Sequence, residues 1–379
     1  MRLLLGKEDG LIEDLTWQDV ADMLDIGPDY ARRLAKGMAI YRDALDDEVR
    51  NTDAARYVQR EMIRARDERT AYNKDQRSLA RMEQKLDYLE ECIREIGKER
   101  YKPVVRTESN VSGGTVLLIL SDMHIGAAYD SPVGKYNSDI ARLELIKLHF
   151  EILNIRDRHK CNKLQIALLG DQISGSIHKS IAVTNREDTI SQVMLASELI
   201  ADFVYGMCQQ FDDVRVNSVS GNHSRIDRKD DALKSERLDR IIPWFVRNAL
   251  NDIENLTVVD PVDPTIDRCV VEGHTFLLTH GDFDGFTDAD VKSLIAFTGE
   301  KPYGILFAHK HFPAFMDSCG VLAIQGGTLQ PPGDDYSFGK RLLNRGPSQT
   351  VAVMKPDGLE CIYPVDLTVD ESVGDGFIA

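Results

Sequence analysis

No two of the chain's six cysteines form a C-x-x-C pair. Cys92, Cys161, Cys208, Cys269, Cys319 and Cys361 are scattered, mostly among apolar neighbours, so they suggest neither a cysteine zinc site nor a disulfide framework, and a reducing compartment fits. No stretch approaches the roughly 20 uninterrupted apolar residues of a membrane span. The start, Met1-Arg-Leu-Leu-Leu5, meets Lys7-Glu-Asp9 too soon to read as a signal peptide. A cytoplasmic protein without a membrane partner is the expectation. Excess positive charge is also missing: 46 Lys and Arg against 62 Asp and Glu give a formal net charge of −16. That excludes a chain that coats nucleic acid with its whole surface, but it leaves room for a local basic face. There is no internal repeat and no long low-complexity segment.

What the chain does have is 379 residues, 42% of them apolar, enough for one large or two to three ordinary domains with real cores. Residues 1–49 read as a helical domain. Thr16-Trp-Gln-Asp19 has capping-box spacing, with Asp19 in place of the usual Glu. Val20, Ala21 and Leu24 give helical spacing, Asp25-Ile-Gly-Pro28 interrupts it, and Tyr30, Leu34 and Met38 resume it. With Arg32-Arg33 early in the second helix, this resembles a helix-turn-helix DNA-binding unit, although Asp25 stands where such units prefer glycine. An ordinary helical hairpin is the bland alternative.

Residues 50–101 read as a charged helical arm. Arg56, Arg60 and Arg64 repeat at four-residue spacing, as do Arg77, Arg81 and Lys85, with acids interleaved. This describes a solvated, salt-bridged face more than a phosphate-tracking stripe. Leu79, Met82, Leu86, Leu89 and Ile93 give its second half something to pack with, either the main domain or a twin subunit in a homo-oligomer. Residues 102–114, with Pro103 and Gly113-Gly114, form the expected linker, and 115–379 the main domain. There the pattern predicts strands at 116–121, 164–169 and 214–220 and helices near 139–159, 188–210 and 236–251. Hairpins are expected around Glu272-Gly273 and Asp357-Gly358. The fold class is α/β: a two-sheet sandwich flanked by helices, preceded by an all-α region.

The chemistry sits at the ends of the apolar runs. Asp122-Met-His124, Gly170-Asp171, Gly221-Asn222-His223, His280-Gly281-Asp282 and His309-Lys-His311 each follow one. Strands that end this way place their polar groups at one edge of a sheet, where α/β folds bind ligands. Carboxylates, neutral imidazoles and an amide carbonyl suit Mn, Fe, Zn, Ni or Co rather than thiophilic ions, with Mn foremost. Two ions about 3.5–4 Å apart need a bridging anion, a role that suits Asp171.

These motifs, in this order, resemble the calcineurin-like metallophosphoesterase superfamily over roughly residues 115–330: D-x-H, G-D, G-N-H, H and G-H-x-H. The resemblance implies a β-sandwich with flanking helices and two divalent metal ions. It would give Asp122, His124, Asp171 and His311 to the first ion and Asp171, Asn222, His280 and His309 to the second. His223 would protonate the leaving oxygen while a metal-activated hydroxide attacks phosphorus. Two positions depart from the pattern. Ser224 stands where an acid often orients the histidine, and Ala308 stands where glycine is usual. Arg225 is a candidate for a phosphate oxygen, and His178, on the loop after Asp171, is either a substrate contact or plain surface. Arg186, Tyr336 and Ser337 are weaker candidates of the same kind. His149, His159 and His274 read as structural.

The superfamily's members act on many phosphate esters. The helix-turn-helix-like start, the arginine-studded arm and Arg225 favour a phosphodiesterase or nuclease acting on DNA, similar to phosphoesterases carried by bacteriophages. A protein or nucleotide phosphomonoesterase is the alternative. A DNA-binding regulator that keeps the metal fold as a scaffold is a third reading.

Overall fold

The Thr16-x-x-Asp19 spacing does start a helix. The Thr16 hydroxyl accepts from the Asp19 N–H at 3.2 Å, and the Asp19 carboxylate accepts from the Thr16 N–H at 2.7 Å. The computed structural model describes residues 1–46, 52–104, 113–177, 179–227, 232–341 and 346–369. The chain divides into two units, Met1–Glu90 and Glu91–Ala379. Residues 105–112 of the expected linker lie outside the described residues.

In the N-terminal unit, helix α1 (Arg2–Glu8) is followed by α2 (Trp17–Leu24) and α3 (Pro28–Asp46). Leu4, Val20, Ala21, Ala31 and Ala35 form their core. α2 ends at Asp25 in the left-handed region, φ 53°. This is the position where glycine is preferred, and aspartate is among the few L-residues that tolerate it. The charged segment is one helix, α4 (Thr52–Arg100), which contributes residues to both units. Exposed pairs such as Arg33–Glu68 at 3.1 Å and Arg64–Glu61 at 2.8 Å decorate it; each is worth about 0–1 kcal/mol.

The C-terminal unit begins with strand β1 (Thr115–Leu120), buried at all six positions. Only a central strand with a layer on each face buries every residue. A short hairpin follows, β2 (Tyr129–Ser131) and β3 (Gly134–Tyr136), then helix α5 (Ser138–His159) and strand β4 (Lys163–Leu169). Next come α6 (Lys179–Thr184), α7 (Thr189–Cys208), β5 (Asp213–Val219), α8 (Ile241–Ala249) and β6 (Leu256–Val258). The later part contains β7 (Ile266–Val271), β8 (His274–Thr279), α9 (Asp288–Thr298) and β9 (Gly304–Phe307). It closes with β10 (Ala314–Ser318), β11 (Val321–Gln325), α10 (Asp335–Lys340), β12 (Ser348–Lys355) and β13 (Gly358–Asp366).

Two sheets result, ordered β13-β12-β1-β4-β5-β6 and β10-β11-β9-β8-β7. β1, β4, β5 and β6 run parallel, with α5 and α7 returning the chain between β1, β4 and β5. Strand periodicity divides the core. Leu117, Ile119, Ala167, Leu169 and Val219 meet Val271, Phe276, Leu278, Leu306 and Ile324 of the second sheet. The alternate residues Val116, Leu118 and Leu120 cluster with side chains of α5, α7 and α8. A helix-flanked sandwich is therefore the architecture.

The sheets are also linked by a polar bridge. Gln165 donates to the Asn217 side-chain oxygen at 3.1 Å, and Asn217 donates to Asp267 at 2.9 Å. The Glu272-Gly273 hairpin forms as expected, because both turn residues have positive φ (49° and 84°), the requirement of a two-residue turn that matches strand twist. The expected 236–251 helix is shorter: it starts at Ile241, after a single 3₁₀ turn at Leu238–Arg240. The side chains of Arg237 and Asp239 are committed elsewhere, as described below. Among the described residues, no helix is long and apolar enough to cross a membrane.

Glu144 on α5 is a buried carboxyl whose Oε2 has no hydrogen-bond partner. Burial pushes its pKa up to about 9, with Lys147 pulling weakly the other way. The native state therefore holds a proton that the unfolded chain releases near pH 4.5, and stability falls as pH rises from there toward 9. Each pH unit in that window costs up to about 1.4 kcal/mol. Glu144→Gln should therefore raise the thermal midpoint by several degrees at pH 8 and change it little at pH 4. Melting curves across pH check this; equal effects at both pH values would contradict it.

Candidate metal centre

Five of the candidate residues sit in the left-handed backbone region, which L-side chains seldom adopt: Asp122 (φ 50°), His124 (49°), Asp171 (52°), His309 (71°) and His311 (62°). Such strain costs on the order of 1–3 kcal/mol per residue and persists where surrounding contacts enforce it, typically at functional sites. Here the enforcement is visible. Asp122 N–H donates to Gly170 O at 3.1 Å, and His124 N–H donates to Asp171 O at 3.0 Å, which clips the loops after β1 and β4 together. Thr328 and Leu329 both donate to the Asp122 carbonyl, and His309 N–H donates to the Asp122 carboxylate at 3.1 Å.

The glycines before Asp171 and Asn222 sit where two loops meet. A Cβ on Gly170 would lie 2.2 Å from the Gly221 nitrogen. A Cβ on Gly221 would lie 2.1 Å from Asp171 Oδ1. The glycines let two loops from adjacent strands touch. Ala308, in place of the usual glycine, is buried and its N–H donates to the His280 carbonyl at 2.9 Å.

The side chains gather into two groups, Asp122–His124–His311 and Asp171–His280–His309, each with its donor atoms within 4.8 Å of one another. Within the first, His124 Nε2 lies 3.1 Å from His311 Nε2, which lies 3.3 Å from Asp122 Oδ1. In the second, His280 Nε2 is 3.0 Å from Asp171 Oδ2 and 3.2 Å from Asn222 Oδ1. Donors about 2.1 Å from one ion stand roughly 3.0–3.4 Å apart at right-angle to tetrahedral geometry, so these spacings fit shared cations. Asp122 Oδ1 and Asp171 Oδ2 are also buried without accepting a well-aligned hydrogen bond. A buried carboxylate oxygen left this way needs a partner, and a divalent cation supplies one. His280 Nδ1 donates to the Leu169 carbonyl at 2.6 Å, which turns Nε2 toward the site.

Electrostatics favour ligating protonation states at Asp171, His124 and His309, but not at His280. Burial opposes ionisation of Asp171, but His280, His223 and His124 outweigh it and hold the carboxyl well below its ordinary range. Burial, with His223 and His311 adding to it, holds His124 neutral. Burial lowers His309 to about 4, and His280 reinforces this. Burial works against charge on His280 as well, yet Asp171, Asp122 and Asp282 override it and raise the imidazole to about 10.

His223 lies beside these groups, its ring 4.6 Å from that of His124. Its backbone N–H donates to Asp171 Oδ1 at 2.7 Å, and its Nδ1 faces the Ser174 carbonyl at 2.8 Å. A carbonyl only accepts, so Nδ1 carries a proton there. Ser224 does not orient the histidine: it is buried, and its hydroxyl donates to Gly221 O at 3.0 Å. The Ser174–Gly175 turn does the work instead. Ser174 Oγ donates to Asn185 at 2.8 Å, Asn185 donates to Gly175 O at 2.7 Å, and Gln192 Oε1 accepts from Gly175 N–H at 2.8 Å. Arg225 is half-buried with its Nε on the Asn222 carbonyl at 2.9 Å.

Arg186 pairs with Asp139 at 2.8 Å on the surface. Ser337 is in the first turn of α10, its N–H on Asp334; Tyr336 shares that helix, and its side chain lies outside the described residues. His178 also lies outside the described residues. His159 meets Tyr363, His274 meets Pro356 O and His149 packs near Phe203.

Two residues were invisible in the sequence pattern. Asp239, fully buried, accepts from Asp171 N–H at 3.1 Å and Gly221 N–H at 2.8 Å, and burial with the nearby Asp171 charge raises its carboxyl to about 6. Arg237, equally buried, donates to Gly221 O at 2.6 Å and pairs with Asp282 at 3.4 Å. Their only signature is a charged R-x-D beside an apolar helix, which a solvent-facing helix start would show as well.

No protein-family model and no curated protein matches the chain. Among solved structures it is similar to an archaeal phosphodiesterase (10% identity, 66% of this chain and 99% of that one, TM-score 0.33). It is similar to zinc-bound Vps29 from Entamoeba histolytica (10%, 67% and 99%, TM-score 0.32) and to a predicted phosphoesterase from Streptococcus pneumoniae (13%, 66% and 92%, TM-score 0.28). None reaches a TM-score of 0.5, so the reading below rests on the site itself.

Asn185→Ala removes two hydrogen bonds from the turn that orients His223. It should cost about 1–2 kcal/mol of stability and lower turnover while leaving metal content unchanged. Denaturant titration, assay and elemental analysis check this; metal loss at full turnover would contradict it.

Proposed function

We propose that the chain is a phosphodiesterase dependent on two divalent metal ions, acting on nucleic acid. The observation that carries this is the meeting of Asp122, His124 and His311 with Asp171, His280 and His309, with His223 alongside. In this reading Asp122, His124, Asp171 and His311 hold one ion, and Asp171, Asn222, His280 and His309 hold the other. The donor set suits Mn first and also accepts Zn, Fe, Ni or Co. When bound, such ions supply a nucleophile at neutral pH and neutralise charge on the phosphoryl oxygens.

The chain's own residues do the rest. Asp171 fixes His223 through its N–H, the Ser174 carbonyl holds one ring proton on Nδ1, and the doubly protonated ring passes its second proton from Nε2 to the leaving oxygen. Arg225, held by the Asn222 carbonyl, binds a non-bridging phosphate oxygen through its terminal nitrogens. Nucleic acid as the substrate is supported by the paired helices α2 and α3, which join through a left-handed Asp25 and carry the exposed Arg32 and Lys36.

With Mn²⁺, the protein should cleave bis-p-nitrophenyl phosphate much faster than p-nitrophenyl phosphate; the reverse ratio points to a monoesterase and overturns the diester reading. His223→Gln should lower turnover at least a hundredfold with two metals still bound by elemental analysis. Metal loss would reassign the residue as a ligand. Arg32→Ala with Lys36→Ala should flatten the dependence of DNA affinity on salt by about two units of log–log slope. An unchanged slope removes α3 from DNA contact.

A further inference from the structure

The loops that carry the site also carry features that the metal chemistry does not use. His311 is the open member of its group: its side chain is 28% exposed, against 0–2% for Asp122 and His124. The His309–His311 loop is thus the accessible side of that group. The next residue, Phe312, has its Cα about 3.8 Å from that of His311 and is 45% exposed. Buried Gln325 donates to the Phe312 carbonyl at 2.7 Å, so the backbone is fixed while the ring stays in solvent.

Phe283 occupies the equivalent place on the loop that carries His280, and it is 49% exposed. Its ring is backed by Arg237 Cζ at 5.3 Å and Lys234 Nζ at 5.2 Å. That same Arg237 donates to the carbonyl of Gly221, the neighbour of Asn222, so the ring is anchored to the site's frame. Exposed Lys310 stands between the two histidines of its loop. The local acids are engaged: Asp282 pairs with Arg237 and Asp284 accepts from Thr279.

A single exposed phenylalanine means little. Two of them, each beside a ligand-bearing strand end and accompanied by cations, make the combination that single-stranded nucleic acid binders use, in which a ring carries a base and a cation follows the backbone.

We propose that Phe283 and Phe312 are platforms on which bases flanking the scissile phosphate stack, so that the substrate class is unpaired, base-bearing nucleic acid. This rests on the phosphodiesterase reading above. Bases inside a duplex already stack on their neighbours and present no face to either ring.

The test compares the Mn²⁺-loaded full-length protein on oligothymidylate and on the same strand with abasic analogues flanking one phosphate. The wild type should prefer the base-bearing strand. Phe283→Ala and Phe312→Ala should each reduce that preference roughly tenfold, mainly in KM, and Phe→Trp should restore it. A wild-type ratio near one, a ratio unchanged in both variants, or faster cleavage of duplex overturns the proposal. If bis-p-nitrophenyl phosphate is hydrolysed but no strand is cut, the proposal falls and the metal chemistry stands. If no diester is hydrolysed, the phosphodiesterase reading falls, and fluorescence anisotropy of labelled oligothymidylate still decides the platforms: weaker binding by the alanine variants supports them and equal affinity overturns them.

Discussion

Everything in the site depends on the environment of one carboxylate. Asp171 accepts the His223 N–H on Oδ1, faces His280 on Oδ2, accepts the His124 N–H on its backbone carbonyl and donates its own N–H to Asp239. Four loops from both sheets are thereby set by one residue held at an unfavourable φ. Burying that charge without compensation would cost far more than a fold of this size can spare, so the surrounding imidazoles are part of what makes the geometry stable, and a bound cation would add to it. Strain in the backbone and unsatisfied carboxylate oxygens point to the same conclusion: the frame is arranged for something bound between the two groups.

That frame is stiff because it is layered. The inter-sheet core of Leu117, Ile119, Phe276, Leu278 and Leu306 fixes the strand ends relative to one another, and cores of this density transmit small displacements rather than absorb them. Beneath the loops, Asp239 and Arg237 form a buried polar layer that fills the orphan groups of Gly221 and Asp171. His223 shows how such a layer substitutes for a missing acid. Where Ser224 provides no charge, a carbonyl presented by Ser174 gives direction instead, at the expense of the added basicity a carboxylate would bring.

Much of this was legible beforehand because it is local. The D-x-H, G-D, G-N-H and H-x-H spacings, the strand periodicity and the hairpin dipeptide each encode a constraint within a few residues. Even the capping box with an aspartate at its third position reads directly. What failed to read is equally instructive. The 236–251 segment has helical composition, yet its first residues turn their charges inward, where Arg237 and Asp239 satisfy backbone N–H and carbonyl groups of the loops after β4 and β5. Gly170-Asp171 was recognisable as a motif, but what its glycine permits, contact with the Gly221 backbone, belongs to a loop about fifty residues away.

The sequence by itself determined the chemical alphabet of the site and the order in which strands present it, since donor type and strand alternation are properties of short segments. Only the tertiary structure decided which donors face one another, which nitrogen of His223 meets the Ser174 carbonyl, and which buried charges lie beneath the loops. Those are distances between residues remote in the chain, and they are fixed by how two sheets pack rather than by any pattern within one of them.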